Sequence, residues 1–209
     1  MPVLETYARI RGIYRQRFPL LQGPYKNFPS PNTGPVLCFG DSLTAGYGSD
    51  GNRNFPAFLD KKWSSLGINV INQGRNGDTA LDGLARLSNE VLKFQPAPRC
   101  VIIGFGGNDL LQRLPIQTTD SALRVMIEEI QGMGAGVILL GLRGSWLYKI
   151  DYEEPFYQLA KETGCALVPV CLDYIWGNPW LMHDPAHPNG RGYEKLADRI
   201  LKVAEPLLF

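Results

Sequence analysis

The sequence predicts an α/β fold, a five-stranded parallel sheet covered by helices on both faces. Two observations predict it: five short apolar runs rich in β-branched residues, and a longer stretch of helical pattern after each of them. In chain order the runs are "PVLCF" (35–39), "INVIN" (68–72), "RCVIIGF" (99–105), "GVILLGL" (136–142) and "ALVPV" (166–170). The helical stretches are "FPAFLDKKWSSL", "TALDGLARLSNEVLKF", "TTDSALRVMIEEIQGM", "YEEPFYQLAKETG" and "GRGYEKLADRILKVAEPL". Strict strand and helix alternation of this kind implies parallel strands joined by helical crossovers, with both sheet faces buried.

Residues 35–209 read as one domain, and residues 1–34 as an arm leading into it. Residues 3–18 alternate apolar and basic positions compatible with a helix, and "GPYKNFPSPNTGP" after them is turn-rich. Composition is that of an ordinary globular chain: of 209 residues, 44% are hydrophobic and 20% charged, with a net charge of +1. That balance supplies no electrostatic reason to expect nucleic acid or an anionic membrane as a partner, so attention turns to a pocket for a small molecule. The N-terminal stretch lacks an uninterrupted apolar run and carries Glu5, Arg9, Arg11, Arg15 and Arg17, which fits neither a secretory signal nor a spanning helix. A cytoplasmic location is the expectation. Cys38, Cys100, Cys165 and Cys171 sit in apolar runs without C-x-x-C spacing, which reads as buried reduced thiols rather than a disulfide framework or metal site.

In an open parallel sheet, ligands bind beyond the carboxyl ends of the strands. The first run ends at "GDSLTAG", the second at "NQGRNGDT" and the third at "GFGGNDLL", while the irregular stretch "CLDYIWGNPWLMHDPAHPNG" after the fifth holds the only histidines, His183 and His187. A second long irregular stretch, "LRGSWLYKIDYEEPF", follows the fourth run. Loops of such length in a compact domain usually carry function. A serine hydroxyl becomes a nucleophile only with a base beside it, and the base needs a group to fix its tautomer. Ser42 is the candidate nucleophile. His187, three residues after Asp184 in "DPAHP", is the preferred base and Asp184 its orienting partner; His183 is the alternative. Acyl transfer also needs donors aimed at the developing oxyanion, for which position nominates the Ser42 N–H, the Gly77 N–H and the Asn108 side-chain amide.

"GDSLT" (40–44), "NQGRNGDT", "GGND" (106–109) and "DPAHPN" (184–189) together resemble the four sequence blocks of the GDSL family of serine esterases and lipases, or SGNH hydrolases. The resemblance spans about residues 35–205, with the blocks in order. It implies a flavodoxin-like three-layer α/β/α sandwich and hydrolysis of esters or thioesters through an acyl-serine, with no metal and no cofactor. It places the nucleophile at Ser42, the oxyanion glycine at Gly77 with Gly74 as the alternative register, the oxyanion amide at Asn108, and the rest of the triad at Asp184 and His187. "GDT" followed by "LARL" looks closest to lysophospholipase/thioesterase-like and acetylhydrolase-like branches. Ser42 lies outside any G-x-S-x-G context, so the α/β-hydrolase elbow does not apply.

Blander readings stand beside these. Ser42 alone would serve as a helix cap, Asp41 would organise its loop, and Asn108 with Asp109 would make a turn and cap. "GFGGND" lacks the last glycine of a dinucleotide loop. Arg75 and Asn76 read as solvated loop residues. Tyr47, Trp146, Tyr148, Tyr174, Trp176 and Trp180 fall in or beside rim loops, where some would wall an acyl or aryl pocket. Two other functions fit parts of the pattern: an acyltransferase passing the same acyl group to a sugar or alcohol, and a non-enzymatic binder cradling a phosphate or flavin at "DSLT".

Overall fold

A computed structural model describes residues 18, 20–145 and 150–209. The expected helix at 3–18 falls almost wholly outside these residues, as do Trp146 and Tyr148. Five parallel strands form the main sheet: β1 (Val36–Gly40), β2 (Val70–Gly74), β3 (Cys100–Gly104), β4 (Gly136–Leu140) and β7 (Ala166–Val168), in the order β2-β1-β3-β4-β7. A two-stranded antiparallel piece, β5 (Gly144–Ser145) and β6 (Ile150–Asp151), lies within the long stretch after β4. The helices are α1 (Ser42–Ala45), α2 (Phe55–Trp63), α3 (Ala80–Leu87), α4 (Gly107–Leu111), α5 (Ile116–Gly132), α6 (Glu153–Thr163) and α7 (Gly190–Leu208).

Successive side chains of a strand point to opposite faces, so one strand feeds two cores. Leu37, Phe39, Val101, Ile103, Val137 and Leu139 pack with α3, α5 and α6. Val36, Cys38, Cys100, Ile102, Ile138 and Leu140 pack with α2 and α7 on the other side. The layers are helix, sheet, helix, as expected.

Two elements differ from the sequence expectation. The fifth strand stops at Val168 rather than running through 170, because Pro169 has no N–H to donate and Val170 adopts φ 43, a conformation no strand contains. The helix expected over 79–94 ends as an α-helix at Leu87 and continues as a π turn over Ser88–Leu92. Residues 20–34 pack where the strands begin. Asn27 Nδ2 donates to the Gln131 and Ala135 carbonyls, Ser30 Oγ to Gly134, and Asn32 Nδ2 to Pro98 and Met133. This part of the arm therefore lies at the opposite edge of the sheet from the strand ends.

All four cysteines are buried and unbonded. Burial pushes the Cys165 and Cys171 thiols up to about 12. Ellman's reagent is expected to find essentially no reactive thiol in the folded protein and all four once guanidinium unfolds it. One rapidly reacting thiol in the native state would contradict this packing.

Candidate active site

The glycines ending β1, β2 and β3 stand side by side, Gly40 paired with both Gly74 and Gly104. The loops that follow are therefore neighbours by register. In the first, Asp41 rather than Ser42 caps α1, its carboxylate accepting the Leu43 N–H at 2.9 Å. The capping reading thus passes to Asp41, and the Ser42 hydroxyl is left to face elsewhere. Its Oγ lies 2.9 Å from His187 Nε2.

His187 Nδ1 lies 2.8 Å from Asp184 Oδ2 and 3.0 Å from Oδ1. An ionised carboxylate only accepts, so Nδ1 carries the hydrogen on that side and Nε2 is left to accept from the Ser42 hydroxyl. The loop is built to hold this line. Asp184 Oδ1 also accepts the Ala186 and His187 N–H groups, both at 2.8 Å, so carboxylate and imidazole belong to one tight turn. Asn189 caps α7 by accepting from the Arg191 and Gly192 N–H groups while its own amide donates to Trp180 and Met182 carbonyls. Trp176 Nε1 donates to the Pro185 carbonyl at 2.7 Å. His183, the alternative base, is exposed, and its N–H donates to the His187 carbonyl; its ring packs edge-on to Tyr47 rather than reaching Ser42.

The two glycines in question after β2 differ in kind. Gly74 is wedged under α1: a Cβ there would lie 2.1 Å from the Ala45 nitrogen, and its N–H donates to Asn72 Oδ1. Gly77 has φ 87, a conformation that favours glycine, and faces open space where a Cβ would be. Among the described residues, the N–H groups of Ser42 and Gly77 have no hydrogen-bond partner. Asn108 Nδ2 donates to the Asp78 carbonyl at 2.9 Å, which orients the amide and leaves its second hydrogen available. Asp109 is fully buried, accepting from the Ala80 N–H and the Thr119 hydroxyl, and ties α4 to α3 and α5.

Comparison with known proteins gives the family and the fold. The family model described as GDSL-like Lipase/Acylhydrolase family matches residues 38–195. The chain belongs to that family. It is 33% identical over 201 residues to "Thioesterase 1/protease 1/lysophospholipase L1" of Escherichia coli K12, covering 94% of this chain and 95% of that one. It is 34% identical over 170 residues to an arylesterase of Vibrio mimicus, covering 78% of this chain and 84% of that one. A crystal structure of TesA superposes with a TM-score of 0.77 at 29% identity, covering 83% of this chain and 99% of that one. The fold is that of SGNH hydrolases, and the chain is a carboxylic ester hydrolase.

Two carboxylates flank the site of this GDSL-family chain with opposite electrostatics. For Asp184, partial burial favours the neutral acid, but bonds from the Ala186 N–H, the His187 ring and the His187 N–H outweigh it and hold the carboxyl below its usual range. Asp184 is therefore ionised opposite the imidazole at neutral pH. Burial pushes Asp41 up to about 7, with Asp109 and Asp78 adding to the rise against the bond from the Leu43 N–H.

Further residues stand against the candidate site or beneath it. The Tyr47 ring packs 4.7 Å from the His187 ring between centroids, and the Tyr47 carbonyl accepts the Tyr193 hydroxyl at 2.7 Å. Tyr47 was visible only as a rim aromatic. Tyr174, Trp176 and Trp180 are exposed, Trp180 at 77%, which is too open for the wall of a closed pocket. Arg75 and Asn76 are both exposed, as expected, and Arg75 also pairs with Glu90. Arg86 is the largest omission. In sequence its signal is a cation on the buried stripe of α3, beside Ala80, Gly83 and Leu87.

Proposed function

We propose that this GDSL-family chain cleaves esters or thioesters in two steps through an acyl group on Ser42. The single observation that carries the reading is the unbroken line Ser42 Oγ, His187 Nε2, His187 Nδ1, Asp184, at 2.9 and 2.8 Å. In acylation Ser42 Oγ bonds to the acyl carbon as its proton passes to His187 Nε2, and the resulting imidazolium faces ionised Asp184. The carbonyl oxygen becomes an anion held by the Ser42 and Gly77 N–H groups and the Asn108 amide. Collapse of the intermediate expels the alcohol or thiol, which takes the proton from His187. Water then repeats the sequence, deprotonated by His187, to release the carboxylic acid and restore Ser42.

The names of the relatives bring thioesters, aryl esters and lysophospholipids forward as substrates. A reducing compartment such as the cytoplasm suits four unpaired buried thiols. No helix among the described residues is long and apolar enough to cross a membrane. The test is release of nitrophenolate from p-nitrophenyl esters of rising acyl length, alongside thiol release from acyl thioesters. Hydrolysis is expected for both leaving groups, with the acyl-length profile measuring the acyl site. Turnover that requires an added alcohol or sugar acceptor, with no hydrolysis in its absence, would replace this reading with acyl transfer.

A further inference from the structure

Arg86 has almost no solvent contact, 8% exposed, on the inner face of α3. A cation so placed is costly unless its donors are met. Here each guanidinium nitrogen is engaged. Nε donates to Asp78 Oδ2 at 2.6 Å; Nη1 to the Gln73 carbonyl at 3.0 Å and Glu90 Oε2 at 2.5 Å; Nη2 to the Gly40 carbonyl at 2.9 Å. The guanidinium carbon also stands 4.3 Å from the centroid of the Phe39 ring. Two of these acceptors are carbonyls at the carboxyl ends of β1 and β2, and the Gly40 oxygen also accepts the Arg75 N–H of the second loop at 2.9 Å. The others are carboxylates.

What hangs from those acceptors is the set of oxyanion donors. Gly40 is two residues before Ser42, at the point where β1 turns into α1. Gln73 opens the segment that reaches Gly77, and Asp78 is the next residue after it. The Asp78 carbonyl in turn holds the Asn108 amide. One guanidinium thus holds the first two loops directly and the third through the Asp78 carbonyl. We infer that Arg86 is the positioning residue of the oxyanion hole, an inference that rests on the acyl-serine reading above.

The physical reason is preorganisation. Donors stabilise a developing anion only if they already point at it, and a displacement of about 1 Å costs on the order of 10²-fold in rate. A lysine in place of Arg86 keeps the charge but has three donors on one point instead of a planar fork, so it cannot hold Asp78, Gln73 and Gly40 together. The loss then falls on the transition state, where the donors act, and not on substrate binding.

The experiment compares the wild type with Arg86→Lys, Asp78→Asn and Ser42→Ala on a p-nitrophenyl ester. Reactive serines are first counted by the nitrophenol burst from a p-nitrophenyl alkylphosphonate, so that kcat refers to each competent site. For Arg86→Lys, kcat per reactive serine is expected to fall on the order of 10²-fold with KM within about threefold of wild type. The affinity of an alkylboronic acid, which becomes a tetrahedral anion on serine, should fall with it. Asp78→Asn keeps the arginine and the backbone carbonyl but weakens the grip, and about a tenfold fall with the same pattern is expected. A merely structural role would lower the number of reactive serines and leave kcat per serine unchanged. That result, or a loss confined to KM, overturns the inference. If Arg86→Lys does not fold, Asp78→Asn decides by the same criteria. An inactive wild type, or a Ser42→Ala variant as active as wild type, would remove the acyl-serine reading itself, which is a different and separately visible failure.

Discussion

Ser42→Ala is expected to lower kcat by on the order of 10⁴- to 10⁶-fold while leaving the fold intact. Among the described residues the hydroxyl bonds only to His187, and the cap of α1 belongs to Asp41, so the truncation removes chemistry without removing structure. The unfolding midpoint should therefore move by no more than a few degrees, about what 1 kcal/mol does in a domain of this size. His187→Ala should cost about as much, and the double variant no more than either alone, because nucleophile and base act as one unit. Steady-state kinetics with all three variants, each checked by thermal unfolding, gives the answer. Additive losses, or a Ser42→Ala enzyme with near-normal turnover, would show that the acyl group is carried elsewhere.

Asn108→Ala should produce the next largest loss, about 10²–10³ in kcat with little change in KM. Its amide has two hydrogens, and among the described residues only one is engaged, by the Asp78 carbonyl. Removing the side chain also leaves that carbonyl without its donor, at a cost of about 1 kcal/mol in stability. Asn108→Asp is nearly isosteric, but its carboxylate donates neither to the oxyanion nor to the Asp78 carbonyl and sets a negative charge beside both, so its activity should fall below that of the alanine variant. A carboxylate variant more active than the alanine one would exclude Asn108 from the oxyanion hole.

Much of the architecture was legible because its signals are local. The apolar runs that became β1, β3 and β4 are buried on both faces, and nothing but a central strand explains "VLCF" or "CVII" between turn residues. Ser42, Gly77, Asn108, Asp184 and His187 stood out because strand-end loops are where polar residues become informative. The sequence favours Gly77 over Gly74 without showing the physical reason, which is α1 lying against Gly74 at the end of β2, a contact between segments about 30 residues apart. Arg86 was hidden for a similar reason. An arginine followed four residues later by Glu90 looks like a solvated helix pair, and only the fold brings Gly40, 46 positions away, beneath it. The early end of β7 was misjudged because "ALVPV" reads as one apolar run until Pro169 is given the weight its missing N–H deserves.

Gly40, Gly74 and Gly104 end their strands at one level, and the site rises directly from that level. A methyl group at Gly40 would come within 2.5 Å of the Gly104 carbonyl oxygen, and one at Gly74 within 2.1 Å of the Ala45 nitrogen, both fixed backbone. Gly104 would meet only the ends of the Leu140 and Thr44 side chains, at 3.2 Å. The platform is thus closed to variation at two of its three points, whatever substrate the enzyme is asked to accept. Substitutions that alter acyl or leaving-group selectivity without loss of the fold are therefore expected in the loops above it, and not in the floor on which the serine stands.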